Sequence, residues 1–181
     1  MTSDTTKPLT GVNVEKIDDR QYRISWKSTG SDTVVQVFAG TSPATIDLGA
    51  PVAQARGGNS IVVSLPEDNA NPYFNIAVKG RRGVIWAQRR LPLEKTYNFR
   101  DIGGYRTNDN RRMRWGWVFR SALLAELTDG DHELLRRIHI KLVCDFRTVE
   151  ETEAEPDRRP ADGSMAYLHM PIALGKFDPA E

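Results

Sequence analysis

The chain has 181 residues, 39% hydrophobic and 27% charged, with a formal net charge of +1. That length supports one large domain or two small ones, and the composition is that of an ordinary globular protein. Charge so near balance in both halves excludes the basic stripe of a nucleic-acid binder and the polybasic tail of a membrane-surface protein. The opening "MTSDTTKPLT" lacks a basic-then-apolar leader pattern, and no apolar run reaches membrane-spanning length. The single cysteine, Cys144, allows no internal disulfide. Together these features predict a cytoplasmic protein with no transmembrane segment and no nucleic-acid partner.

Residues 1–9 are polar and predicted to be a flexible N-terminus. From Gly11 to Pro92 short alternating stretches are separated by turn residues. "GVNVEKI" is followed by "DD". "QYRISWKS" puts Tyr22, Ile24 and Trp26 on one face. "DTVVQVFAG", "NSIVVSL", and the hairpin "YFNIAVKG" to "GVIWAQRRL" complete the series. About seven strands with no helical stretch predict an all-β sandwich over residues 10–92. The Trp in "RISWKS", the "VQVFAGTSPATID" stretch and the "YFNIAV" run resemble a fibronectin type III domain.

Beyond Pro92 the pattern changes. "RTNDNRRMRWGWVFRS" predicts a hairpin turning at "TNDN", with Trp115 and Trp117 on one face of its second strand. In "TDGDHELLRRI", Thr128 and Asp131 form a capping-box start, and Leu134, Leu135 and Ile138 form the apolar face of a helix. "IKLVCDFR" is nearly continuously apolar, as a buried parallel strand is. Cys144 within it is therefore expected to be a small buried hydrophobe. "TVEETEAEPD" predicts a second helix, capped by Thr148 and stopped by Pro156, and "AYLHMPI" a further strand. The second fold class expected is thus α/β, over residues 93–181. His132 and His139 are expected to be solvated, and His169 to be a strand histidine with a satisfied nitrogen. The three lack metal-ligand spacing.

Ligands bind at the carboxyl ends of strands in α/β sheets. That rule selects Asp145 and Arg147 after "KLVC" and Arg120 after "WVF", with Arg100 and Asp101 in the opening segment "YNFRDIGGY". Arginine forks match phosphate oxygens, and an aspartate either orients them or donates a proton. The same groups also form purely structural ion pairs. "RRMR" at 111–114 is read as a solvated hairpin edge, with an acidic phosphopeptide or a lipid headgroup as the alternative partner.

"NFRDIGGYRTNDNRRMRWGWVFRSALLAELTD", then "IHIKLVCDFRTVEETEAEPDRRP", then "YLHMPI", resemble the N-terminal half of the bacterial protein tyrosine/serine phosphatase family with an H-C-x-x-G-K-D-R active loop. The resemblance runs from Tyr97 to Ile172. It implies hydrolysis of phosphotyrosine, or of phosphoserine, phosphothreonine or phosphoinositides, through a cysteinyl-phosphate and without a cofactor or metal. The substrate is then a phosphorylated protein or a phospholipid. It implies phosphate-pocket roles for Asp145, Arg147 and Arg120, supporting roles for Arg100 and Asp101, and a backbone role for Gly103 and Gly104. Yet Glu150, not Arg, follows Cys144 at the sixth position, so no C-x5-R loop is present. The 181 residues are expected to be part of a larger phosphatase and inactive alone. The other expectation is a catalytically inactive phosphatase-like binding or scaffold protein working through its sandwich, for which a protein partner is implied.

Overall fold

A computed structural model of the chain describes residues 9–27, 30–66 and 69–172. The expected flexible terminus, except Leu9, lies outside the described residues, as do residues 173–181. Seven strands open the fold: β1 (Asn13–Lys16), β2 (Gln21–Ser25), β3 (Val34–Gly40), β4 (Ala53–Arg56), β5 (Ser60–Ser64), β6 (Tyr73–Val78) and β7 (Val84–Ala87). They form a three-stranded sheet in the order β1-β2-β5 and a four-stranded sheet in the order β4-β3-β6-β7. Every neighbouring pair is antiparallel.

The alternation in sequence fixes the register. Tyr22 pairs with Val63 and Ile24 with Ile61, so one face of this sheet is apolar. Tyr22, Ile24 and Trp26 are all buried, as expected from their spacing. They share one core with Val35, Val37, Phe74 and Ile76 of the other sheet, where the Tyr22 and Phe74 rings lie 5.4 Å apart. Each such side chain contributes about 1.5–3 kcal/mol by leaving water. The one strand not anticipated is β4. Its "AQAR" sequence carries no β-branched or aromatic residue, and it is held as an edge by pairing Val35 with Ala55 and Val37 with Ala53.

The chain forms two compact units: the described residues up to Leu91 together with Arg100–Arg120, and Pro92–Phe99 together with Ser121 onward. This division differs from the single cut after residue 92 expected from sequence, because 100–120 is built onto the strands before it. β8 (Arg100–Asp101) and β9 (Phe119–Arg120) are antiparallel, and Arg90 bridges Arg100. The expected hairpin is present: Arg106 bridges Arg112, and the turn is closed by the Asn110 N–H on the Thr107 carbonyl. Trp115 and Trp117 do not share a face, however. Gly116 (φ +77°) turns the chain between them, leaving Trp115 buried and Trp117 71% exposed.

In the second unit, α1 (Asp129–Arg137) begins with the anticipated capping box at Thr128 with Asp131, and α2 (Val149–Ala154) with the anticipated Thr148 cap, which Glu151 completes into a second box. Strands β10 (Leu142–Asp145) and β11 (Ala166–His169) pair in parallel on either side of α2. The expectation of a strand buried on both faces fails. Asp145 is buried, but Leu142, Cys144 and Phe146 point to an exposed face, as do Leu168 and Met170. An apolar run normally marks a parallel strand covered on both sides. This two-stranded sheet has one covered face among the described residues, so Cys144 is exposed rather than buried. His132 also departs from expectation: it is buried, with Nε2 2.9 Å from the Arg158 carbonyl. His139 is exposed in the helix-to-strand turn as expected, with φ +61°. No helix among the described residues is long and apolar enough to cross a membrane.

A Cβ at Gly103 would lie 2.4 Å from the Trp115 Cα, and one at Gly104 would lie 2.6 Å from the Trp115 ring, with φ already at +77°. Gly104→Ala is therefore expected to cost about 2 kcal/mol, from strain at positive φ and from the clash. Urea unfolding followed by tryptophan fluorescence reads this directly, since all four tryptophans lie in the first unit. A midpoint equal to wild type would refute the packing described.

Candidate functional site

Three of the sequence-predicted residues, Arg100, Asp101 and Arg120, lie in the first unit. Asp101 is fully buried. Its Oδ1 accepts the Gly103 N–H at 2.7 Å and its Oδ2 the Gly116 N–H at 2.7 Å. Arg89 donates through Nη1 to the Asp101 carbonyl at 2.7 Å and through Nη2 to the Gly103 carbonyl at 2.9 Å. Its guanidinium also lies over the Tyr105 and Trp115 rings. Burial pushes the Asp101 carboxyl above its ordinary range, against the pull of the two N–H groups and of Arg89. Burial and then the nearby Asp101 charge push the Tyr73 phenol up to about 12. Asp101 is thus a strut for the segment, with both oxygens committed to backbone.

That strut holds a rung of arginines. Arg100 is paired with Arg120 in the β8–β9 register, and Arg100 bridges Arg90 on its other side. Directly opposed residues of antiparallel strands project to the same side, roughly 5 Å apart. Arg90, Arg100 and Arg120 therefore stand side by side. Arg90 and Arg120 are exposed, and Arg100 is half-buried. The exposed guanidinium forks of Arg90 and Arg120 match the geometry of an oxyanion.

Asp145 and Arg147 lie in the second unit, at the carboxyl end of β10. Arg147 Nε donates to Asp145 Oδ1 at 3.0 Å, and Nη2 to Asp145 Oδ2 at 2.6 Å. Nη2 also reaches Asp157 Oδ1 at 2.8 Å, and Nη1 the Glu155 carbonyl at 2.8 Å. Asp145 further accepts the Arg147 N–H at 3.0 Å and the Tyr167 hydroxyl at 2.8 Å. His169 Nε2 lies 2.9 Å from the Arg147 carbonyl, the satisfied strand histidine that its position suggested. Hydrogen bonds from Arg147 hold the Asp145 carboxyl well below the usual carboxylate range. The same pairing raises Arg147, whereas burial raises Asp157.

This geometry alters two expected roles. Asp145 is held ionised, with both carboxylate oxygens engaged by Arg147 and one also by the Tyr167 hydroxyl. Arg147 in turn has four of its five N–H groups committed within the network, which leaves no free fork for a phosphate. Sequence reasoning missed Arg90, read only as the end of a strand, and also Asp157 and Tyr167. Those two reach Arg147 and Asp145 from 10 and 22 positions away, and no local spacing announces them.

A carboxylate with a lowered folded value adds stability that is present above its ordinary value near pH 4 and is lost as pH falls below it. Asp157, raised by burial, offsets part of this. Both described helices lie in the second unit, so circular dichroism at 222 nm reports on it. Its urea midpoint is expected to fall between pH 5 and pH 3, and Asp145→Asn to flatten that dependence. Arg147→Met, which leaves two carboxylates facing each other, is expected to cost about 3 kcal/mol at pH 7. A wild-type midpoint that does not change with acidification would contradict the ionised Asp145.

Among known families, residues 91–180 match the model described as the tyrosine phosphatase family. No curated protein matches the chain. The matched residues take in both the arginine rung from Arg100 to Arg120 and the Asp145–Arg147 network, and they exclude β1–β7. The match supports a phosphatase, a hydrolase of phosphate esters, for this part of the chain.

Proposed function

We propose that this chain is the phosphate-binding part of a phosphate monoester hydrolase acting on phosphotyrosine. The observation that carries the reading is the arginine rung, three aligned cations within and beside the residues matched to the tyrosine phosphatase family. In the reaction a cysteine thiolate attacks phosphorus, the P–O bond to the tyrosyl oxygen breaks, and that oxygen takes a proton. Water then cleaves the S–P bond, releasing inorganic phosphate and restoring the thiolate. The thiolate comes from outside these 181 residues, since Cys144 is the chain's one cysteine and lacks an arginine six positions on. Arg120 and Arg100 bind the phosphate, and Asp101 positions them. Asp145 and Arg147 brace the strand end. No metal or organic cofactor enters this chemistry.

The seven-stranded part serves as a fibronectin III-like module. The sheet orders β1-β2-β5 and β4-β3-β6-β7 support that assignment. We propose that it recruits a protein partner or substrate. A second reading, an inactive phosphatase-like binding protein, draws on one observation: Arg147 is spent on two carboxylates and so offers a substrate little.

Three outcomes test the first reading with p-nitrophenyl phosphate. A protein carrying this chain together with a C-x5-R loop is expected to turn it over, and vanadate to stop the reaction. Arg120→Ala is expected to weaken vanadate inhibition about tenfold, the loss of one charge-assisted fork. Cys144→Ser is expected to leave turnover within about twofold, the substitution being on an exposed strand face. The reading fails if the loop-bearing protein is inert, or if the 181 residues alone are active and Cys144→Ser abolishes that activity.

A further inference from the structure

Away from the rung, the first unit holds a cleft of about 930 Å³ between the β3–β4 loop, the start of β7 and the 104–117 hairpin. Four arginines line it: Arg82, Arg106, Arg112 and Arg114. No aspartate or glutamate does. Arg106 donates to the Asn110 side-chain carbonyl at 3.1 Å and Arg112 to the Gly104 carbonyl at 2.8 Å, and Arg114 stacks 4.9 Å from the Trp117 ring. None of the four forms an ion pair with a carboxylate among the described residues. The neighbouring Arg111 does, with Asp109 at 2.5 Å. Counter-charge is therefore available on this hairpin and is not spent on the cleft.

The walls are apolar. Trp115, its Nε1 bonded to the Ile85 carbonyl at 3.0 Å, is buried and fixed. Trp117 stands 71% exposed, an expensive position for an indole unless something lies on it. A cleft that is cationic at its edges and aromatic on its walls complements a ligand that is anionic and carries a flat ring. The shape argues against a bilayer, whose surface cannot enter a concavity. The chain's net charge of +1 and the confinement of these cations to one cleft argue against a long polyanion, which needs a continuous basic track.

We propose that this cleft is a docking site for an acidic peptide segment bearing an aromatic side chain, which seats its ring on Trp117 and its carboxylates or phosphate on Arg82, Arg106, Arg112 and Arg114. The proposal rests on the phosphatase reading only in naming the source of that peptide, the phosphoprotein substrate. It assigns to "RRMR" a recruiting role distinct from the phosphate rung.

The probe is a short fluorescein-labelled peptide of glutamates around a central phosphotyrosine, titrated into the 181-residue chain and followed by anisotropy. Saturable binding is expected, weakened tenfold or more by Trp117→Ala and by the pair Arg112→Glu and Arg114→Glu. Arg23→Ala, an exposed side chain on β2 away from both the cleft and the arginine rung, is expected to leave it unchanged. All three altered side chains of the first two variants are exposed, and unchanged tryptophan-monitored unfolding for the charge-reversed pair confirms that it folds. Unaltered affinity in both variants overturns the proposal. So does tighter binding, through the same residues, of oligothymidylate or of phosphatidylserine vesicles than of the peptide. Because the readout is binding, an inert loop-bearing protein with intact peptide binding refutes the phosphatase and leaves the cleft standing. Turnover of p-nitrophenyl phosphate without peptide binding does the reverse.

Discussion

The buried carboxylate of Asp101 is the constraint on which the first unit's chemistry turns. A carboxylate removed from water costs several kcal/mol unless donors replace its hydration. Here two glycine N–H groups supply that replacement from opposite ends of the 103–116 loop, each at 2.7 Å. A Cβ at Gly103 would strike the Trp115 backbone, and one at Gly116 the Tyr73 hydroxyl. One side chain therefore closes the loop and demands the glycines around it. It also sets the β8–β9 register that aligns Arg100 with Arg120. The glycine pair in "RDIGG" and the arginines of "FRS" are answers to the same packing problem.

Two of the buried aspartates, Asp101 and Asp145, show how donors decide a charge's fate. Asp101 receives backbone N–H groups, with Arg89 directed to carbonyls nearby, and burial prevails: its proton affinity rises. Asp145 receives a guanidinium directly, a tyrosine hydroxyl and one backbone N–H, and its proton affinity falls. Arg147 is the mirror case, a cation held by two carboxylates and a carbonyl. Both centres are built from the residue types that phosphate chemistry uses, and in both the inner member is consumed by structure. The arginines beside the first centre lie one step outward, Arg90 and Arg120 exposed and Arg100 half-buried.

Much of this was legible because it is local. The capping box at Thr128 and the cap at Thr148 are each written within one helical turn, and the alternation in "QYRIS" needs two residues. The hairpin turn at 107–110 was likewise written in its own residues. What escaped depends on partners distant in sequence. β4 is a strand because β3 offers it an edge, not because "AQAR" favours one. His132 is buried because a carbonyl 26 positions on meets its ring. Trp115 and Trp117 part company because Gly116 takes a positive φ, which a period-two pattern cannot register. Arg147 carries no local sign of Asp157, which takes one of its donors from ten positions on.

Cys144 is where the apolar pattern misled most. Its exposure removes the simple argument that a buried thiol is inert, so its role has to be judged on surroundings. A thiol that attacks phosphorus needs converging N–H groups or a cation to hold it as thiolate and to bind the phosphate beside it. Cys144 sits mid-strand, opposite Leu168, with its backbone built into the parallel ladder of β10 and β11. Leu142 and Phe146 flank it on the same exposed face. The nearest guanidinium in sequence, Arg147, is bound to two carboxylates. That ladder offers no cradle of converging N–H groups among the described residues, so accessibility alone does not make this cysteine a nucleophile.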